Sequence, residues 1–95
     1  MIKRIVQLTL EPQFIDEFKT FFEARKATIK GFEGCTFLEL WQDVQEPNKF
    51  FTHSMWQSED HLNRYRNSAF FKETWIQTKA MFAEKAQAWT VTIVA

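Results

Sequence analysis

The second half of the chain contains residues with the spacing of an aromatic-lined pocket wall, namely Trp56, Tyr65, Ser68 and Phe71. Trp56 ends a β-rich run, and Tyr65, Phe71 and Trp75 follow it in segments with helical periodicity. Aromatic rings stack on flat organic molecules, and the Tyr65 hydroxyl can donate or accept a hydrogen bond. We therefore predict that Trp56, Phe71 and Trp75 bind substrate and that Tyr65 is a catalytic residue. The alternative for Trp56 is a core residue at the end of a sheet.

Two titratable residues, His53 and Glu39, are further candidates. His53 could act as a catalytic base, or it could be a polar residue in a barrel lining or an interface. Strand alternation places it on the face opposite Trp56, so the two share a pocket only if a bulge intervenes. Glu39 lies on the same strand face as Phe37 and Trp41. It is predicted either to contact substrate or to pair with a basic residue across a dimer seam.

Other polar residues have simpler expected roles. His61 is expected to be solvated, and Cys35 to be a small buried residue. Arg4 and Gln7 could orient a polar ligand atom or lie at a barrel rim. Two histidines eight residues apart and one cysteine do not form a recognised metal-ligand set, and two glycines do not make a phosphate loop. We expect no metal and no cofactor.

The composition excludes several classes of protein. The 95 residues include 12 basic and 12 acidic side chains, with no basic run longer than a pair, which argues against a nucleic-acid surface. No apolar run is long enough for a membrane span, and a single cysteine suits the cytoplasm. The 11 Phe, 4 Trp and one Tyr indicate a bulky core, an aromatic cavity or an apolar interface.

The periodicity predicts the elements that would position these residues. Residues 2 to 10 alternate as a strand, and Pro12 suits the first turn of a helix that ends near Gly31. Runs from 35 to 43 and from 50 to 56 predict an antiparallel hairpin. Ser58 is predicted to cap the next helix and Ser68 to cap another, so the helix should break near Ser68. Residues 88 to 95 predict a last strand.

The order is β-α-β-β-α-β, which fits the ferredoxin-like α+β motif, with helices on one face of a four-stranded antiparallel sheet. We predict that residues 1–95 form a single domain. The other sheet face would carry Phe37, Trp41 or their neighbours, so a second copy of the chain is expected to cover it.

Several residues then match a known pattern. They are Gly34-Cys35 before the second strand, Pro47 in the hairpin turn, Trp56 at the end of the third strand, and the spacing from Trp56 through Tyr65 and Ser68 to Phe71. With these features the chain resembles the antibiotic biosynthesis monooxygenase family over nearly its whole length. The resemblance implies a homodimeric α+β barrel.

The resemblance also bears on chemistry. Trp56 matches a tryptophan that several members place beside the substrate, and Tyr65 stands where many relatives have His. Trp75 stands where the haem-degrading branch has an iron-ligating His, and because tryptophan cannot ligate iron, that activity is not expected. The resemblance implies a cofactor-independent monooxygenase acting on a small aromatic or quinol-type molecule. The alternatives are a non-catalytic dimeric module that binds a small hydrophobic ligand, or aromatic residues used only for packing.

Overall fold

Four antiparallel strands form one sheet, and three helices pack on one of its faces. The computed structural model describes residues 1–95. The strands are β1 (Ile2–Thr9), β2 (Cys35–Gln42), β3 (Lys49–Trp56) and β4 (Gln87–Val91), and the helices are α1 (Ile15–Lys30), α2 (Glu59–Arg66) and α3 (Ala69–Lys79). The strand order is β2-β3-β1-β4. This confirms the predicted ferredoxin-like α+β fold.

Helix α1 follows a short 3-10 turn over Pro12–Phe14 and ends at Gly31. Gly31 has φ of −79°, so the helix ends in a right-handed conformation that other residues can adopt. The left-handed conformation occurs at Gly34 instead, where φ is 90°. Gly34 therefore makes the turn that leads from α1 into β2.

The predicted break between the second and third helices is confirmed. The Ser58 hydroxyl accepts a hydrogen bond from the backbone N–H of His61 at 3.2 Å, which caps α2. The Ser68 hydroxyl accepts from the N–H of Phe71 at 3.0 Å, which caps α3. Each cap satisfies a backbone donor that a helix leaves free at its N-terminus, so two short helices replace one long helix.

The two faces of the sheet differ in what covers them. Helix α1 covers the first face with Phe18, Phe22 and Ile29, and the Phe18 ring meets Phe50 of β3 with ring centroids 5.2 Å apart. The buried hydrophobic core on this side comprises Leu8, Leu10, Phe18, Phe22, Ile29, Leu38, Phe50 and Met81. No element of the chain packs over the second face, which we call the open face.

Strand register fixes which side chains share a face. Arg4 of β1 pairs with Ser54 of β3 and with Thr90 of β4, and Ile2 pairs with Trp56. On β2 the register shifts between Cys35 and Phe37. Since Cys35 pairs with Trp56, the irregularity moves Cys35 to the helix side, although strict alternation would place it with Phe37.

The last strand is shorter than the predicted run of residues 88 to 95, since β4 ends at Val91. None of the helices is both long enough and apolar enough to cross a membrane.

Candidate functional site

A cavity of about 420 Å³ lies between the helix-covered face of the sheet and the three helices. Pockets that bind small organic molecules measure about 300–1,000 Å³ and are mostly apolar, so this cavity has a suitable size. Its apolar lining includes Val6, Leu8, Phe18, Phe21, Phe22, Ile29, Leu38, Trp56, Leu62, Phe71, Trp75 and Ala88. The space between sheet and helices is therefore not filled by aromatic packing alone.

The aromatic residues along one side of the cavity form a continuous series of ring contacts. Trp56 stacks on Tyr65 with centroids 5.0 Å apart, and Tyr65 meets the edge of Phe71 at 5.0 Å. Phe71 then stacks on Trp75 at 5.9 Å with an interplanar angle of 11°. These four aromatic residues thus come together, because α2 and α3 carry three of them across the end of β3.

Trp56 is fixed in both position and orientation. It is the last residue of β3, it is fully buried, and its indole N–H donates to the Ser54 hydroxyl at 3.0 Å. Both residues line the cavity. A buried indole with a satisfied N–H is held in one orientation, so Trp56 is a rigid support for the Tyr65 ring that stacks on it.

Tyr65 supplies a polar group within this aromatic wall. Its ring also contacts Phe32 at 4.9 Å, while its hydroxyl makes no hydrogen bond within the chain. Burial raises the pKa of Tyr65 well above its usual range, and the nearby Cys35 raises it further. At neutral pH the Tyr65 hydroxyl is therefore protonated, and it can donate a hydrogen bond but cannot act as a base.

The charged groups of the cavity are all cationic. Arg4, Arg25 and Arg66 are among its lining residues, and none of the 21 lining residues is Asp, Glu or His. Arg25 is occupied by the chain itself. It lies 3.6 Å from the Phe21 ring centroid, and it donates to the Phe21 carbonyl at 3.3 Å and to Gln77 at 3.4 Å. The cavity consequently has a positive electrostatic bias.

His53 and Glu39 lie away from this cavity, on the open face, where β2 and β3 pair them with each other. His53 is buried between the rings of Phe37 and Trp41, at 5.2 and 4.8 Å, and neither ring nitrogen has a hydrogen-bond partner. Glu39 is exposed and accepts a hydrogen bond from the Trp41 indole at 2.9 Å. This confirms the prediction from strand alternation that His53 lies on the face opposite Trp56.

His61 differs from its expected solvated state. Its side chain is only 19% exposed, and its ring nitrogen Nδ1 lies 2.7 Å from the Ser58 hydroxyl. The ring also occupies the space beside Gly34, where a Cβ atom would lie 2.4 Å from it. His61 therefore joins α2 to the start of β2, and no local sequence pattern signals that contact.

Sequence reasoning also missed Arg66 and Arg25 as cavity residues. Both stand on helices at positions that read as solvent-facing, and the periodicity gives no measure of how far a long side chain reaches. Arg4, a candidate for orienting a polar ligand atom, does line the cavity. Gln7, the other candidate for that role, lies three residues further along β1, so the two occupy opposite faces.

The arrangement can hold a flat ring against the half-buried rings of Tyr65, Phe71 and Trp75, hydrogen-bond one of its oxygens, and favour negative charge on it. The structure contains no group of three or more His, Cys, Asp or Glu side chains that could hold a metal ion.

Comparisons with known proteins bear on the family and the fold. The model of the antibiotic biosynthesis monooxygenase family matches residues 1–75. A crystal structure described as an antibiotic biosynthesis monooxygenase superposes with a TM-score of 0.92 at 18% identity, covering 100% of both chains. A conserved Methanosarcina mazei Go1 protein gives 0.88 at 18% identity, covering 94% of this chain and 88% of that one. A Pseudomonas aeruginosa protein gives 0.86 at 19% identity, with coverages of 99% and 94%. No curated protein matches the chain.

Proposed function

Since the chain belongs to the antibiotic biosynthesis monooxygenase family, we propose that it is a cofactor-independent monooxygenase whose substrate is a small phenol or quinol bound in the aromatic cavity. The observation that carries this proposal is the stacked pair of Trp56 and Tyr65 lining an apolar space of about 420 Å³. A flat ring fits such a space, and the cavity walls shelter a reactive anion from water.

The proposed reaction needs no external reductant. A phenol that loses its proton becomes an electron-rich anion that reacts directly with oxygen. One oxygen atom forms a C–O bond at a ring carbon, which loses its hydrogen, and the other oxygen atom leaves as water. The substrate supplies all four electrons, so 1-naphthol and O₂ would yield 1,4-naphthoquinone and water.

Each cavity residue has a role in this proposal. Phe71 and Trp75, which stack at an interplanar angle of 11°, contact the substrate ring, and the buried Trp56 holds the Tyr65 ring in place. Tyr65, which is protonated at neutral pH, donates a hydrogen bond to the substrate oxygen as negative charge develops on it. The cationic bias of the cavity stabilises the same charge, so ionisation of the substrate is favoured. Because no lining residue is a carboxylate or an imidazole, the proton passes to solvent water.

We also propose that the protein is a homodimer in which a second copy covers the open face. That face carries Trp41, Trp89 and Val91, which are 42%, 43% and 44% exposed in the single chain. It also carries His53 and Glu39, which belong to this dimer seam in the proposal rather than to the cavity. Covering large apolar side chains in this way removes them from water, which favours association.

Oxygen uptake by the purified protein tests the proposed function. Wild-type protein should accelerate oxygen consumption by 1-naphthol or 1,4-naphthalenediol without added metal or flavin. The Tyr65→Phe variant removes only a hydroxyl that makes no hydrogen bond within the chain, so the fold should persist while kcat falls by about tenfold to a hundredfold.

The matched control is Thr20→Val, which removes an exposed hydroxyl on α1 outside the cavity and should leave the rate unchanged. Oxygen uptake no faster than the uncatalysed rate across the panel would refute the proposal. Saturable binding of a ligand that is recovered unchanged would indicate a binding module instead.

A further inference from the structure

Two arginines of the cavity, Arg4 and Arg66, have no acidic partner. Arg4 donates to the Thr90 hydroxyl at 2.8 Å, and Arg66 makes neither a hydrogen bond nor an ion pair through its side chain. Burial and the neighbouring Arg66 cation hold the pKa of Arg4 below its ordinary value. A guanidinium carries five N–H donors, so the single bond from Arg4 to Thr90 leaves most of its donors free for a ligand.

The two arginines line the same cavity as the stacked ring pair, and they are near enough to each other for the Arg66 cation to act on Arg4. Arg4 lies two residues along β1 from Ile2, which is the cross-strand partner of Trp56. Arg66 directly follows Tyr65 at the end of α2. A flat ligand in this cavity can therefore reach both guanidinium groups with one polar edge.

From this geometry we infer that the cavity selects a flat aromatic molecule bearing a carboxylate, and that Arg4 and Arg66 bind the carboxylate oxygens. This inference rests on the proposed function, because it places the ligand ring on the same aromatic wall. Arginine forks match the two oxygens of a carboxylate, and a bound anion also removes the repulsion between the two cations.

Arg4 contributes more than Arg66 to this subsite. Arg4 is partly buried, where charge-assisted hydrogen bonds are strengthened by the apolar surroundings, whereas Arg66 is exposed and screened by solvent. Arg25 is already engaged by Phe21 and Gln77, so it contributes only to the positive bias.

Isothermal titration calorimetry with two isosteric probes tests the inference. 2-Naphthoate and 2-naphthamide have the same ring and nearly the same shape, and they differ in charge. Neither has the hydroxyl needed for oxidation, so binding is measured without turnover. We expect 2-naphthoate to bind about tenfold or more tightly, and added salt to weaken the binding of naphthoate but not that of the amide.

Variants locate the effect. Arg4→Gln should remove most of the preference for naphthoate, Arg4→Lys should retain more of it, and Arg66→Gln should reduce it by a smaller factor. The matched control is Arg64→Gln, since Arg64 is an exposed arginine of α2 that lies two residues from Arg66 and does not line the cavity. It should leave both affinities unchanged.

The outcomes separate the inference from the proposed function. Equal binding of the two probes, or an Arg64→Gln effect as large as that of Arg4→Gln, would overturn the carboxylate subsite and leave the aromatic cavity as a ring-binding site. Failure of both probes to bind would overturn the subsite and count against the proposed substrate class as well. If Arg4→Gln does not fold, the carboxylate subsite is tested by Arg66→Gln and by salt. An unchanged naphthoate preference in Arg66→Gln together with salt-independent naphthoate binding would then overturn it.

Discussion

Replacing Gly34 by alanine is expected to destabilise the protein by about 2–4 kcal/mol, through backbone strain and a steric clash with the His61 side chain. Gly34 has φ of 90°, a conformation that L side chains rarely adopt. The new Cβ would lie 2.4 Å from Cβ and Cγ of His61, so the histidine has to move. That movement disturbs the contact between His61 and the Ser58 hydroxyl at the start of α2.

The same substitution should reduce activity, because α2 carries Tyr65 and Arg66 into the cavity. A shift of α2 moves the Tyr65 ring away from Trp56, on which it stacks at 5.0 Å. Gly31→Ala is the matched control, since Gly31 has φ of −79° and its added Cβ would meet only two backbone oxygens at 3.4 Å. It should change stability by less than about 1 kcal/mol, or increase it.

Urea unfolding followed by tryptophan fluorescence measures the stability of the Gly34→Ala and Gly31→Ala variants. All proteins are compared at one concentration, because the stability of a dimer depends on protein concentration. At about 1 kcal/mol per molar of urea for a domain of this size, the Gly34→Ala midpoint should fall by roughly 2–4 M. A Gly34→Ala midpoint within about 0.5 M of wild type, or a Gly31→Ala loss of equal size, would refute the reasoning.

Two further predictions concern the open face. Burial and the Lys3 cation lower the pKa of His53 below its ordinary value of 6.5, and the opposing effect of Glu39 is smaller. As the pH falls below about 6.5, the histidine is therefore protonated in the unfolded chain before it is protonated in the folded protein, which favours unfolding. The urea midpoint should therefore drop between pH 7.5 and 5.5, and His53→Phe should show a smaller drop; an unchanged pH profile in His53→Phe would contradict this assignment. Trp41→Lys should dissociate the proposed dimer in analytical ultracentrifugation, whereas Ile76→Lys, a control at an exposed position on α3, should not; a Trp41→Lys protein that stays dimeric would remove the open face as the interface.

Local sequence signals predicted most of the fold. The alternation of the strands, the turn at Pro47 and the serines at 58 and 68 each act over a few residues, and the structure follows them. The wall residues Trp56 and Tyr65 were predictable for the same reason, because strand and helix periodicity place them on faces that meet at one end of β3.

The features that were not predictable depend on contacts between distant parts of the chain. The packing of His61 on Gly34 joins residues far apart in sequence, and neither residue type signals it. The register shift near Cys35 reverses a face assignment that alternation alone would give. Arg66 was missed because a charged residue on a short helix normally indicates solvent exposure, and only the folded structure brings it beside Arg4.

Oxidation of 1-naphthol under ¹⁸O₂, with mass analysis of product quenched early in the reaction, tests the central claim most directly. We expect wild-type protein to form 1,4-naphthoquinone with one ¹⁸O atom per molecule, at a rate that falls by about tenfold or more in Tyr65→Phe. Naphthoquinone formed no faster than without protein, or formed without ¹⁸O, would contradict it.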